Sequence, residues 1–463
     1  MTKNVAPVNS IQAENGSRPP FDRESLNRHI VRLAAPAVGE NLLHTTLLIV
    51  DTLMVGYYGS LPVAASAAAG TILWRAHMTF GCIERGTTAL VARACGAGDL
   101  RAAARAFAQS ALLATVLGLV LTGAGVVLAP YLLLGLQCSP EVVAEGTPYL
   151  RVIFLASVPR LVYFVGAATL RAAGDTRSPM GITFGMNISN MVFNYVLIFG
   201  KCGFPELKLL GSGISTALSI LLACGAVLWL LRAGRFGVRP RLRDFAPDFA
   251  IVRKIVRLAA PSLLEEITIS IGFLTFFSFV ARLGTQPLAA HALATRLESL
   301  SFMAGFGFAV AASTLVGQSL GMCDVRLARL SFRRTIALTI AVMSCVAVAL
   351  VIWGRPLLSY FCREAEVLEL AYAILVLSAI EQPLLGIAMT LSGGLRGAGD
   401  TVSPMITSVV GNLFIRIFVV YWLTFPLGLG IFGIVLGTII DWVVRCLLLA
   451  HFYWSGKWKQ LEL

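Results

Sequence analysis

The segment LRAAGDTRSPM at residues 170–180 recurs as LRGAGDTVSPM at residues 395–405, 225 positions further along the chain. The segment IVRLAAP recurs at the same distance, at residues 30–36 and 255–261. Single residues match at this spacing as well: Gly96, Asp99, Arg101 and Asn187 correspond to Gly321, Asp324, Arg326 and Asn412. A spacing that is kept over so much of the chain indicates a duplication with two homologous halves.

Long apolar segments separate these motifs. Hydrophobic residues make up 57% of the 463 residues and charged residues only 13%, and the mean hydropathy is +0.80, which is typical of a membrane protein. The apolar segments are about 20 residues long, the length of a membrane-spanning helix. The sequence therefore predicts an all-α integral membrane protein with twelve transmembrane helices in two pseudo-symmetric six-helix bundles. The predicted spans are residues 30–55, 62–90, 107–129, 148–170, 180–199, 211–231, 257–281, 288–316, 335–353, 371–394, 404–423 and 429–452.

The predicted domains follow from the repeat. Each half has an even number of spans, so both halves enter the membrane from the same side and form parallel repeats about an axis along the membrane normal. The expected organisation is a disordered cytosolic tail (1–28), an amino-terminal lobe (29–231), an inter-lobe linker (232–254), a carboxy-terminal lobe (255–454) and a second cytosolic tail (455–463).

The formal net charge of +13 is unevenly placed. Of the 37 Lys and Arg residues, 25 lie on one side of the predicted membrane and five on the other. This is the positive-inside pattern, which predicts cytosolic termini in a multi-pass protein of the cell inner membrane. Because the charge follows this pattern, membrane topology explains it better than nucleic-acid binding does.

The repeated turn has two interpretations. Gly174 and Gly399 permit a tight turn, and Ser and Pro suit the start of the next helix. The charged residues of the turn are then simply solvated, or they form contacts of a cytosolic gate. The candidate gate residues are Arg171, Asp175, Arg396 and Asp400.

Ionisable residues inside a span are rare and indicate function by default. Pro36 removes a backbone donor and predicts a kink in the first span, and Glu40 and His44 follow it on one face. Asp51 lies further along the same span, where its alternative role is that of a helix cap at the outer interface. Burial in a low dielectric favours the neutral form of a carboxyl group, so that such a group exchanges protons near neutral pH.

The repeat extends this candidate site to the second half. Glu265 is the counterpart of Glu40 and follows Pro261, and Glu266 adds a second acid. The two lobes then each contribute a carboxylate to a common cavity. The alternative is a structural ion pair with Arg160, Arg296 or Arg416, which also need partners; the two roles do not exclude each other.

The fifth span supplies amides. Asn187, Asn190 and Asn194 share one helical face and are suited to coordinate a cation or to bind a protonated carboxyl, with helix–helix hydrogen bonding as the alternative. Glu381 is a single acid in the tenth span, and Asp441 with Arg445 has the spacing of a structural i,i+4 pair. His77 and His291 are single histidines in the second and eighth spans, without the spacing of metal ligands. The sequence predicts no metal site and no catalytic set.

At these residues the chain resembles the multidrug and toxic compound extrusion (MATE) family, in the multidrug/oligosaccharidyl-lipid/polysaccharide flippase superfamily. The resemblance is carried by LAAP (33–36), VDT with MVG (50–56), LRAAGDT (170–176) and the segment from Asn190 to NYVLIFG (194–200), and it covers about residues 29–454. It implies a V-shaped pair of lobes and a secondary active antiporter without cofactors that exports amphipathic organic cations in exchange for H⁺ or Na⁺.

The resemblance also assigns site residues. In the proton-coupled bacterial and archaeal branch, the functional acid of the first span corresponds to Asp51, and an Asn and an Asp of the fifth span correspond to Asn190 and Asn194. Because the second of these is Asn here, an amino-lobe site with two carboxylates is not expected. The branch with a seventh-span glutamate places it about a turn deeper than Glu265 and Glu266. Glu40 and Glu265 are therefore candidates from their own positions in the spans and the repeat, and not from the resemblance.

Other classes of protein fit less well. A lipid-linked oligosaccharide flippase of the same superfamily is the second candidate, but it needs a cationic cavity for pyrophosphate, whereas the inward acids favour cations. A membrane enzyme needs a clustered catalytic set, and the five histidines are dispersed. A channel is normally a symmetric oligomer around one pore, whereas we expect a monomer with two internal lobes.

Overall fold

The computed structural model describes residues 23–234, 237–362 and 364–461, and within these ranges the chain consists of helices and turns without strands. The sixteen α-helices are α1 (Arg23–Gly56), α2 (Ser60–Phe80), α3 (Cys82–Gly96), α4 (Leu100–Gly135), α5 (Pro140–Leu155), α6 (Ser157–Ala172), α7 (Arg177–Ile198), α8 (Lys208–Arg232), α9 (Phe249–Arg282), α10 (Thr285–Gly321), α11 (Val325–Ser359), α12 (Ala365–Ser378), α13 (Glu381–Gly397), α14 (Val402–Val409), α15 (Val420–Thr424) and α16 (Gly430–Ser455). The predicted tail 1–28 lies largely outside the described residues.

The helices follow the predicted spans. Within the described chain, eight helical segments are long and apolar enough to cross a membrane, and the pairs α5–α6 and α12–α13 each qualify as one span bent by 50° and 48°. The predicted second and fifth spans correspond to the α2–α3 pair and to α7, which carry more polar residues. The all-α membrane fold with two six-span halves is thus confirmed.

The repeat is visible in the local geometry. Asp99 and Asp324 each cap the following helix, with the side chain accepting a backbone hydrogen bond of 2.8 Å. Pro36 and Pro261 both lie inside helices, and the two bent spans break at corresponding places. The same sequence signals therefore give the same local structure in each half.

The halves differ at one helix. α7 is continuous, whereas its counterpart is α-helical only to Val409 and continues as a π-helix over Val410–Val419. The spacing between equivalent residues is 225 at Asn187 and Asn412 but 226 at the aromatic pairs, Tyr195 with Phe199 and Tyr421 with Phe425. A π-helix has one more residue between hydrogen-bonded groups than an α-helix, so this segment accommodates the extra residue.

The described chain divides into two compact units. Of the described residues, the amino unit comprises those within Gly39–Cys95 and Asp99–Ala259, and the carboxy unit comprises those up to Val38, Gly96–Gly98 and those from Ala260 onward. The boundary between the units crosses α1 after Val38 and α9 after Ala259. Each crossing lies within three residues of a repeated proline, Pro36 or Pro261. The predicted inter-lobe linker, 232–254, belongs to the amino unit.

Candidate functional site

A chain of hydrogen bonds surrounds Asp51 in the amino unit. Asn194 Nδ2 donates to Asp51 Oδ1 at 2.5 Å and also approaches Asn190 Oδ1 at 2.9 Å. Asn190 Nδ2 in turn donates to Thr216 Oγ1 of α8 at 3.3 Å. The network joins α1, α7 and α8, and it places one carboxylate against two fully buried amides.

The asparagine face contains unsatisfied acceptors. The buried positions of α7 include Asn187, Asn190 and Asn194, which shows that the three amides face inward together. Asn187 Nδ2 donates to the Leu43 carbonyl at 2.7 Å. The Oδ1 atoms of Asn187 and Asn194 are buried and have no hydrogen-bond partner among the described residues. A buried acceptor without a donor is costly, so it is a suitable contact for a proton-bearing group or a cation.

Histidines of α1 and α2 face one aromatic ring. The ring centroid of Phe164 lies 4.2 Å from that of His77 and 6.1 Å from that of His44. His77 Nδ1 is buried without a hydrogen-bond partner in the described chain. The structure thus brings His77, which stands alone in the sequence, into the neighbourhood of the predicted His44.

Glu40 occupies a separate site. It lies eleven positions before Asp51 in the continuous helix α1, which corresponds to roughly 16 Å along the helix axis. Glu40 Oε1 forms an ion pair with Arg171 Nη1 at 2.7 Å, and Glu84 Oε1 forms one with Arg171 Nη2 at 2.6 Å. The guanidinium therefore links α1, α3 and α6, and Arg171 is buried rather than solvated.

The carboxy unit repeats this ion pair. Arg396 Nη2 donates to Glu265 Oε1 at 2.6 Å, and Ser408 Oγ donates to the same oxygen at 2.9 Å. Glu40 and Glu265 thus each pair with the arginine 131 residues further along the chain. Glu266 is also buried. The structure therefore joins the predicted cavity residues Glu40 and Glu265 to the predicted gate residues Arg171 and Arg396.

The acids of the repeated turn stabilise its backbone. Asp175 Oδ1 accepts from the Ser178 N–H at 2.9 Å, and Asp400 Oδ1 accepts from the Ser403 N–H at the same distance. These bonds satisfy amides at the start of α7 and α14, as expected for residues at a helix amino terminus. In each unit, the arginine of this motif (Arg171 or Arg396) pairs with a buried glutamate. The aspartate (Asp175 or Asp400) accepts a hydrogen bond from the backbone three residues further on.

Two further groups of charges lie in the carboxy unit. Glu381 is the first residue of α13, directly after the bend, and its Oε2 atom is buried without a hydrogen-bond partner in the described chain. Asp441 is fully buried and accepts from Arg445 at 2.7 and 2.8 Å, which confirms the predicted i,i+4 pair. Arg416, from the π-helix, reaches the same carboxylate at 3.0 Å.

Several partners in these sites were not predicted. Thr216 and Ser408 are hydroxyl residues in apolar helices, where sequence alone does not distinguish a partner of a buried polar group from a hydroxyl bonded to its own helix. Glu84 did carry a signal, because it is a further acid within the predicted second span.

The chain matches proteins of known family over nearly its whole length. The family model described as MatE matches residues 36–196 and 261–422, one match in each half. The chain is 29% identical over 436 residues to the probable multidrug resistance protein NorM of Thermotoga maritima, covering 94% of both chains. It is 28% identical over 407 residues to the multidrug resistance protein MdtK of Pectobacterium atrosepticum, covering 85% of both.

A solved structure supports the fold independently. An outward-facing multidrug resistance transporter of the MATE family and the MOP superfamily has a TM-score of 0.87 to this chain, with 21% identity, and the match covers 99% of this chain and 100% of that one. At this level of identity the comparison establishes the architecture.

Proposed function

Since the chain belongs to the multidrug and toxic compound extrusion (MATE) family of transporters, we propose that it is a secondary active multidrug efflux antiporter. It exports amphipathic organic cations in exchange for protons or sodium by alternating access. It acts as a monomer in the inner membrane with both termini in the cytosol. The observation that carries this proposal is the network of Asp51 with Asn194 and Asn190. The multidrug resistance names of the relatives from Thermotoga and Pectobacterium support the substrate class.

Asp51 is the proposed coupling group. An ionised carboxylate is only an acceptor, and here Asp51 Oδ1 accepts a hydrogen bond from the Asn194 amide. A protonated carboxyl becomes a donor, and Asn194 Oδ1 is an acceptor that lacks a donor in the described chain. Protonation thus lets the carboxyl donate a hydrogen bond to this acceptor, and it removes the negative charge that holds a cation.

The Glu–Arg pairs connect the proposed substrate contacts to the proposed gate. An organic cation that reaches Glu265 competes with Arg396 for one carboxylate, and its binding releases the arginine from that contact. The same competition applies to Glu40 and Arg171 in the amino unit. Because both arginines precede the repeated turn, substrate binding alters the residues that we assign to the gate. Glu266, His44, Asn187 and Glu381 are proposed as further contacts of the cation or coupling ion.

Transport by the purified protein tests the proposal. Proteoliposomes loaded with ethidium are given a proton gradient or a sodium gradient, one at a time, and efflux is followed by fluorescence. We expect one gradient to drive export, and we expect Asp51→Asn to remove gradient-driven export. Glu141→Gln, an exposed acid at the start of α5, is the matched control for insertion and folding. Efflux at the wild-type rate by Asp51→Asn contradicts the coupling role, and the absence of export under both gradients contradicts the antiport mechanism.

A further inference from the structure

The segment between α8 and α9 is held against α4 by one buried amide. Gln109 is 1% exposed, and its Nε2 atom donates to the carbonyls of Asp244 and Ala246 at 2.8 and 2.7 Å. Its Oε1 atom accepts from the Asp248 N–H at 2.9 Å. Three hydrogen bonds from one side chain fix the end of this segment, which includes a short 3₁₀ turn at Leu242–Phe245.

Apolar contacts hold the part of the segment from Gly237 to Phe245. Val238 is fully buried in the core of the amino unit. Gly237 adopts a positive φ of 80° and packs so closely on Leu100 that a Cβ atom at this position would overlap it. The Phe245 ring meets Phe107 of α4 edge-on, with centroids 6.5 Å apart. The backbone at Arg239 and Arg241, which lie between these contacts, is therefore held against the amino unit.

These contacts leave a pocket of about 390 Å³ between α4, the end of α8 and the segment. Its cationic side is formed by Arg232, Arg239 and Arg241, and its apolar side includes Leu228 and Phe245. None of the residues that line it is acidic. The three arginines are exposed and form no ion pair with any other described residue.

A neighbouring pocket of about 450 Å³ shows the contrast. It is lined by Arg105 and Arg243, but Asp244 and Asp248 line it as well. Positive and negative side chains there are equal in number. Of these two pockets, the one lined by Arg232, Arg239 and Arg241 has positive side chains without acidic ones.

The pocket crosses the boundary between polar and apolar surroundings. Its segment connects two membrane-spanning helices, α8 and α9, so it lies at a membrane surface whichever side that is. Leu228 precedes Arg232 by one helical turn, about 6 Å deeper along α8. Leu242 and Phe249, on the same segment and the start of α9, expose 89% and 82% of their surface. Apolar side chains beside basic ones at a membrane surface are typical of lipid contact.

We propose that this pocket is a binding site for the phosphate group of an anionic phospholipid. The guanidinium forks of Arg232, Arg239 and Arg241 bind the phosphate oxygens, and an acyl chain runs past Leu228 into the hydrocarbon. A net charge of three without an acid selects an anionic headgroup over a zwitterionic one. This site is independent of the transport mechanism proposed above.

Lipid binding to the purified full-length protein tests this site. Native mass spectrometry measures the affinity for dioleoyl phosphatidylglycerol and for dioleoyl phosphatidylcholine. The test variant is Arg232→Gln/Arg239→Gln/Arg241→Gln. The matched control removes three exposed arginines from α11 in the other unit, Arg326→Gln/Arg329→Gln/Arg333→Gln. Single substitutions of Arg239 and Arg241 are measured as well, so that the result does not depend on the folding of the triple variant.

We expect phosphatidylglycerol affinity to fall on the order of a hundredfold in the test variant and about fivefold in each single variant, since each arginine near an anionic lipid contributes about the same free energy. The control variant is expected to bind like the wild type, and phosphatidylcholine is expected to bind weakly throughout. Equal loss in the control indicates diffuse surface attraction and overturns the proposal. Wild-type binding by the test variant, or displacement of the lipid by millimolar inorganic phosphate, also overturns it.

Discussion

The ion pair between Arg171 and Glu40 can be tested by its contribution to stability. The Glu40 side chain is 6% exposed and that of Arg171 10%, so neither group is hydrated when its partner is removed. Glu84 is 28% exposed and can regain some water. Arg171→Gln therefore leaves one carboxylate buried without a counter-charge. Breaking a buried pair in this way costs about 3–5 kcal/mol.

The compensating change has a predicted sign. Arg171→Gln combined with Glu40→Gln removes both charges, and two amides can bond to each other across the same gap. We expect the double variant to regain about 2 kcal/mol of the loss, because neighbouring residues in one network couple by about 0.5–3 kcal/mol. The matched control is Arg355→Gln, since the Arg355–Glu369 pair is 61% and 54% exposed. That change is expected to cost less than about 1 kcal/mol.

Thermal unfolding in detergent, followed by the signal of the native tryptophans, ranks these variants. The order expected from most to least stable is wild type with Arg355→Gln, then the double variant, then Arg171→Gln. Glu40→Gln is measured alone as well. The reasoning is refuted if Arg171→Gln unfolds at the same temperature as Arg355→Gln, or if the double variant loses as much stability as Arg171→Gln and Glu40→Gln added together.

Three further results are expected. Arg396→Gln should raise the affinity of the protein for ethidium and Glu265→Gln should lower it, because the two charges compete; binding titrations in detergent decide this, and changes in the same direction, or an effect only in Glu266→Gln, contradict the competition. Gly411→Ala should destabilise the carboxy unit by about 1–3 kcal/mol in thermal unfolding, since its Cβ would lie 2.5 Å from Asp441 Oδ1; unchanged stability contradicts the close packing. Protease-cleavable tags at both termini should be protected in right-side-out vesicles, and cleavage of either tag contradicts the predicted topology.

The membrane fold follows from the sequence because its causes are local and repeated. Hydrocarbon requires backbone groups to be satisfied within a helix, so apolar length alone predicts the spans. The Asp99 and Asp324 caps and the prolines at 36 and 261 act within a few residues of themselves. The three asparagines of α7 share a face for the same reason, since the helical period fixes their directions.

The ion-pair partners of the buried charges depend on how the helices pack, so they could not be predicted from the local sequence. Glu40 had three candidate partners in the sequence, and it pairs instead with Arg171, a residue interpreted as part of a solvated turn or a gate. The position of that arginine is set by the length of α6 and by how α6 packs against α1. The π-helix at Val410–Val419 is similar, because one extra residue is seen only when equivalent aromatic residues are compared between the halves.

The duplication separates features shared by both halves from those found in one. The pairs Glu40–Arg171 and Glu265–Arg396 occur in both units with the same chain separation, as do the capped turns that follow the arginines. The Asp51 network occurs in one half, because the residue equivalent to Asp51 is Phe276. Features of the shared helical architecture are expected in duplicate, because the two halves have homologous sequences. In the antiport mechanism that we propose, a carboxylate in one half is enough to bind a coupling ion, so Asp51 is the proposed coupling group and the repeated pairs are the proposed elements that respond to it.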